Sequence, residues 1–182
     1  MEKNRTFEDF YQELLLDDNQ LFEEKVSTED KYQFSIEEEL VEKYTSSNEL
    51  EEIPTEKPKP LIEKNGQVKW PRSSKVAADS LKKADFLCEI DTNHKSFISN
   101  VTGKNYMEAH HLIPISKQDD FEYSLDKVAN VKCICPNCHR LIHHGTSSDK
   151  KIAIEKLYNK SKVNLEKIGL SIDLETLLRL YN

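Results

Sequence analysis

The feature that most narrows what this chain can fold into is Cys135-Pro-Asn-Cys138. Two thiols separated by two residues sit on one tight turn and can meet the same tetrahedral metal. All four cysteines (Cys88, Cys133, Cys135, Cys138) and all six histidines (His94, His110, His111, His139, His143, His144) of the 182 residues fall between positions 88 and 144. Upstream, Cys88 and His94 complete a Cys3His set suited to structural zinc. Asp91 competes as the fourth ligand, although it would be a hard oxygen in a soft set. The other reading of the pair is a redox Cys-x-x-Cys with a buried Cys88, and no thioredoxin-like βαβ pattern surrounds it. Cys133, alternating within Val131-Lys-Cys-Ile134, reads as a strand residue packed in the core.

The histidines divide by spacing. His110 and His111 are adjacent near a strand end, where neighbouring side chains point to opposite faces. They therefore suit two different tasks, one metal ligand and one general base. His139 and His143 are four residues apart on an expected helix and share a face, so both can reach one cation. His144 lies off that face and reads as ordinary.

Charge divides the chain as well. Residues 1–52 carry 17 acidic and 5 basic side chains, whereas residues 53–182 carry 16 acidic and 21 basic, so the net charge of −7 conceals an acidic arm and a basic remainder. In the arm, Thr6 with Asp9 and Ser35 with Glu38 are capping signatures. They precede the apolar stripes Phe7, Phe10, Tyr11, Leu14, Leu15 and Ile36, Leu40, Val41, Tyr44. The prolines of Ile53-Pro-Thr-Glu-Lys-Pro-Lys-Pro60 disfavour helix and mark a linker. Asn65-Gly66 suits a short hairpin turn, and Ser74 is placed to cap a helix over Lys75–Phe86. Phe97–Val101 and Tyr106–Ile113 read as paired strands. The helix carrying His139–His144 should stop at Gly145, a second should end at Gly169, and Asp173 should cap a last one. No apolar run approaches the roughly 20 residues of a membrane span, and the charged N-terminus has no apolar stretch behind it. A cytoplasmic protein with reduced thiols is expected.

Glu108-Ala-His-His-Leu-Ile-Pro114, then Asn130, then Cys135-Pro-Asn-Cys-His139-Arg-Leu-Ile-His143-His-Gly145 resembles the HNH nucleases of the ββα-metal fold, in the zinc-stabilised McrA-like branch. The likeness covers about residues 70–145. It departs from many relatives in having Asp91 where a second upstream cysteine would fall, which leaves His94 to substitute. The resemblance implies an α+β fold, a zinc-stabilised ββα-metal core with flanking helices, preceded by an acidic helical N-terminal region. It organises the chain as an acidic region 1–52, a linker 53–69, a nuclease domain 70–145 and a helical extension 146–182. It also implies roles: His111 as general base, Asn130 as the residue that orients it, and His110, His139 and His143 as ligands of a catalytic Mg²⁺, Mn²⁺, Ni²⁺ or Zn²⁺. Arg140, Lys132, Lys104 and Lys117 are candidates for phosphate contacts. The expected activity is DNA cleavage in restriction or antiviral defence, leaving a 5′-phosphate and a 3′-hydroxyl. Two alternatives are a zinc-stabilised nucleic-acid-binding module and a nuclease subunit whose residues 1–52 dock on a protein partner.

Overall fold

The computed structural model describes residues 28–42, 52–63 and 66–181. The chain divides into two compact units, Met1–Ser35 and Ile36–Asn182. The first expected helix, with its Thr6 cap, lies outside the described residues, as does Tyr44. The second begins earlier than its capping signature: α1 runs Thr28–Glu42, and Ser35 sits inside it. There the Ser35 hydroxyl donates to the Tyr32 carbonyl at 2.8 Å, the local bond that serine makes when it is not a cap.

From Ile36 onward the architecture is α+β. Residues 55–57 run antiparallel to 122–124, with Glu56 bridging Tyr123 and backbone bonds from Lys57 to Glu122 and from Ser124 to Thr55. The proline-rich stretch is thus tied down at its centre. The expected hairpin follows as β1 (Leu61–Ile62) and β2 (Val68–Lys69), in antiparallel register with Leu61 opposite Lys69. Helix α2 (Ser74–Lys83) is capped by Ser73, one residue before the expected position, and ends short of Phe86. Asp85 and Phe86 both take left-handed φ values, 48° and 55°, a conformation costing non-glycine residues about 1–2 kcal/mol each. This sharp exit turns the chain back toward Cys88.

The central sheet has two antiparallel strands, β3 (Glu108–His111) and β4 (Val131–Ile134), registered with Ala109 opposite Cys133 and His110 opposite Lys132. Residues 97–106 do not form the expected strand partner of β3. They close on themselves through one Ile98–Asn105 bridge, with the Phe97 and Tyr106 rings stacked 4.5 Å apart. All four residues of β4 are buried, and α2 packs on both strands. Cys133 is fully buried, as an alternating core residue should be.

Two further helices close the core. Helix α3 (Pro136–His144) follows β4 directly and completes a β-β-α unit. It stops at Gly145, but not by a left-handed turn: φ there is −71°. A Cβ on Gly145 would lie 2.5 Å from the Leu141 carbonyl oxygen, so close backbone approach is what requires glycine. Helix α4 (Ser147–Lys167) is capped by Thr146 and buries Ile154, Leu157, Ser161 and Leu165 on the side that meets α3 and α5 (Leu174–Arg179). Each fully buried leucine or isoleucine contributes about 1.5–3 kcal/mol. Asp173 caps α5 as its position implied, accepting from the Thr176 amide at 2.8 Å. No helix among the described residues is long and apolar enough to cross a membrane.

Gly169 ends α4 at φ +78°, and a Cβ there would lie 2.4 Å from the Tyr123 ring. Gly169→Ala is expected to lower stability by roughly 2–5 kcal/mol, summing left-handed strain and overpacking. Urea unfolding should show this as a lower midpoint at unchanged slope.

Candidate metal centre

Two clusters of metal-ligating side chains form within the second unit, one at the start of α3 and one along it. The first gathers Cys88, His94, Cys135 and Cys138, whose ligand atoms all lie within 4.8 Å of one another. Cys135 is the N-cap of α3, Pro136 opens the helix, and Cys138 sits one turn in, so the two-residue spacing becomes two sulfurs at one helix end. His94 Nδ1 lies 3.8 Å from Cys135 Sγ and 3.2 Å from Cys138 Sγ. Zinc bonds of about 2.3 Å to sulfur and 2.0–2.1 Å to nitrogen hold tetrahedral ligands apart by similar distances, so the donor set fits zinc in both chemistry and spacing. Asp91 is outside the cluster. It faces the other His94 nitrogen, Nε2, at 3.8 Å and uses a carboxylate oxygen to accept the Asn93 amide.

The approach of Cys88 is fixed by its neighbour Glu89. The Glu89 amide donates to the Cys133 carbonyl at 2.8 Å, its carboxylate accepts the Cys133 amide at 2.6 Å, and its carbonyl accepts from Lys160 of α4. Burial alone would raise the Cys88 thiol. Backbone amides near Asp91, Cys135 and Ile90, with the His94 side chain, outweigh it and hold that thiol below its ordinary value. Burial raises Cys138 instead, and a bound cation would reverse this by selecting the thiolate. Burial likewise raises Cys133, which stands apart from the cluster and has a core role.

The second cluster brings together His110, His139 and His143, again with ligand atoms within 4.8 Å of one another. The i, i+4 pair on α3 places His139 Nε2 3.2 Å from His143 Nε2. Two nitrogens bound to one ion at about 2.0–2.1 Å lie about this far apart. His110 presents its ring edgewise to both, with centroids 5.1 Å and 5.2 Å away. Glu108 accepts a hydrogen bond from His139 Nδ1, which leaves Nε2 with its lone pair, the arrangement by which carboxylates orient metal-binding histidines. Burial, followed by repulsion from His139 and His143, holds His110 well below the usual imidazole range. Burial, followed by repulsion from His139, His144, Arg140 and Lys150, lowers His143. Neutral imidazoles with available lone pairs are what a cation requires.

His111 points to the opposite face of β3 from His110, as strand alternation requires. Its Nε2 lies 2.9 Å from Asp126 Oδ1, and the two side chains are only 11% and 10% exposed. The other carboxylate oxygen of Asp126 accepts the Ser73 amide at 2.6 Å, so the N-terminus of α2 holds the acid in place. A carboxylate only accepts. The imidazole proton therefore sits on Nε2, leaving Nδ1 able to take a proton.

Asn130 does not touch the His111 ring. Fully buried, it accepts the Ile113 amide at 2.8 Å and donates to the carbonyls of Ile113 and Leu125 at 3.0 and 2.9 Å. These bonds fasten the segment after His111 to the segment before Asp126. Lys132, a candidate for phosphate, is instead buried on β4 at 4.0 Å from Glu89, whereas Arg140 and Lys104 are exposed.

Sequence reasoning left three residues without a role. Glu108 had a usable signal, because residues two apart on a strand share a face and it precedes His110 by two. Asp126 lies in an irregular loop and Tyr181 at the far end of the chain, where spacing carries no information.

No family model matches the chain. Over 100 residues it is 34% identical to the type IV methyl-directed restriction enzyme EcoKMcrA of Escherichia coli (strain K12), an overlap covering 55% of this chain and 33% of that enzyme. The chain thus spans about a third of the length of the curated relative it matches. With the β-β-α metal motif, this supports an HNH-like nuclease fold.

Purified protein is expected to hold about one zinc per chain through the cysteine cluster. Cys138→Ser should lose that zinc and melt at a lower temperature, because the free energy of structural metal binding is folding free energy. Elemental analysis with thermal unfolding checks this. A zinc-free wild type that melts like Cys138→Ser would reject it.

Proposed function

We propose that this chain is a metal-dependent endonuclease that hydrolyses DNA phosphodiester bonds, acting in restriction or phage defence. The observation that carries the reading is one strand end, where β3 offers His110 to a three-histidine cluster on one face and a carboxylate-held His111 on the other. A pure binding module has no use for an oriented base. The likeness to a restriction enzyme over 100 residues supports the biological setting.

In this mechanism His111 is the general base. Asp126 fixes its tautomer and stabilises the imidazolium formed when Nδ1 takes a proton from the attacking water. Asn130 is a positioning residue that aligns the loops bearing the base and its acid partner. His110, His139 and His143 would hold a divalent cation, with Glu108 orienting His139. When bound, that cation supplies Lewis-acid stabilisation of charge on the phosphate and the leaving oxygen. Arg140 and Lys104 are exposed cations available to neighbouring phosphates. The Cys88, His94, Cys135 and Cys138 site takes zinc in a structural role, within a nuclease domain spanning about residues 70–145 and extended by the C-terminal helices.

Incubation with supercoiled plasmid across Mg²⁺, Mn²⁺, Ni²⁺ and Zn²⁺, with an EDTA control, tests the activity. His111→Ala should reduce cleavage about 10²–10⁴-fold while keeping the fold and the tightly held zinc. Asp126→Asn should cause a smaller loss. His110→Ala and His139→Ala should respond instead to excess metal. Full cleavage by His111→Ala would overturn the assignment of the base.

A further inference from the structure

We propose that Tyr181 is a positioning residue of the three-histidine cluster, its hydroxyl holding His110 in the tautomer that carries the proton on Nε2 and offers Nδ1 to the metal. The inference rests on the metal role proposed above for His110, His139 and His143. Tyr181 follows α5, where its amide donates to the Leu178 carbonyl. Its hydroxyl reaches back to the end of β3 and meets three groups: the Leu112 carbonyl at 2.6 Å, the His111 carbonyl at 3.2 Å and His110 Nε2 at 3.1 Å.

A phenol has one proton to give and lone pairs to accept with, whereas a carbonyl only accepts. The short contact to Leu112 takes the Tyr181 proton, with His111 sharing its direction. What faces His110 is therefore the lone-pair side of the oxygen. That contact is a hydrogen bond only if His110 Nε2 carries the hydrogen, and a neutral imidazole has just one. Nδ1 is then left with its lone pair.

The same logic operates in mirror fashion at His139, where Glu108 takes the Nδ1 proton and frees Nε2. In both cases an outer partner fixes which ring nitrogen keeps its lone pair, which is how outer contacts set ligand orientation. The two partners differ in origin. Glu108 is on the same strand as His110, whereas Tyr181 comes from the turn after α5, so the C-terminal segment contributes directly to the cluster as well as to the core. The hydroxyl also spans the backbone of His111 and Leu112, and so fixes the strand end from which the two histidines diverge.

The test uses the full chain labelled with ¹⁵N-histidine, its structural zinc retained, and two-bond ¹H–¹⁵N correlation spectra recorded before any other divalent metal is added. In the wild type, His110 should show a protonated Nε2 and an unprotonated Nδ1. In Tyr181→Phe the His110 signals should shift toward a mixture of both tautomers. Calorimetric affinity for Ni²⁺ should then fall about 10–100-fold, the usual cost of losing an outer partner. A role confined to packing would leave the tautomer unchanged. A wild-type His110 protonated on Nδ1 would overturn the proposal without reference to the variant, and so would a Tyr181→Phe protein with wild-type tautomer and Ni²⁺ affinity. Failure of the wild type to bind Ni²⁺ at these histidines would reject the metal reading and, with it, the ligand half of the proposal. The spectra judge the Tyr181 contact separately.

Discussion

The N-terminal turn of α3 is where this structure is decided. Cys135 and Cys138 occupy the cap and first turn of that helix, and they meet Cys88 and His94, which arrive from a separate segment. A two-stranded sheet of four-residue strands is marginal by itself. A metal bound there would join two distant segments and add its binding free energy to the folded state alone, which is what so small a sheet lacks. Once the first turn of α3 is anchored, the helix period does the rest. His139 follows Cys138 directly, and His143 falls one turn later on the same side. One nine-residue helix thus serves both clusters.

The opposite face of β3 is organised by buried polar groups rather than by metal ligands. Asn130 and Gln118 are fully buried, and both spend their side chains on backbone groups of the stretch 113–125, which holds a 3₁₀ helix over Ile115–Asp120. Gln118 accepts the Leu125 amide and donates to the Tyr123 carbonyl. An unsatisfied buried amide costs about 1–3 kcal/mol, so these loops have few alternatives to the observed path. The result is a loop rigid enough to hold Asp126 against His111 although it contains no regular strand. The β-β-α unit therefore sets a cluster of metal-ligating histidines on one side of a short strand and a closed hydrogen-bond network on the other.

What the sequence made legible follows from how local each signal is. The Cys135–Cys138 pair, the i, i+4 histidines, the opposed His110 and His111, the Asp173 cap and the stop at Gly145 all depend on neighbours within a few residues, and each is found in its expected place. The shortfalls arise where distant parts of the chain decide. Ser35 has the pattern of a cap, but the helix continues through it. Residues 97–101 read as a strand, yet β3 pairs with β4, which leads straight into α3. Helix α2 ends early because the chain must turn sharply toward Cys88. Asn130 bonds to the loops on either side of the base, and Asp126 makes the direct contact with His111. No spacing rule could have linked residues 111 and 126, or 110 and 181, before their backbone paths were known.

Helix α3 presents one ligand cluster at its first turn and a second, chemically different one along one face, each suited to its own metal. Anomalous diffraction from crystals of the zinc-containing protein soaked in Mn²⁺, recorded at the absorption edges of both metals, tests this directly. Two separate peaks are predicted. A zinc peak should lie among Cys88, His94, Cys135 and Cys138, and a manganese peak among His110, His139 and His143. A single peak serving both groups, or zinc bound without the cysteines, would contradict the account.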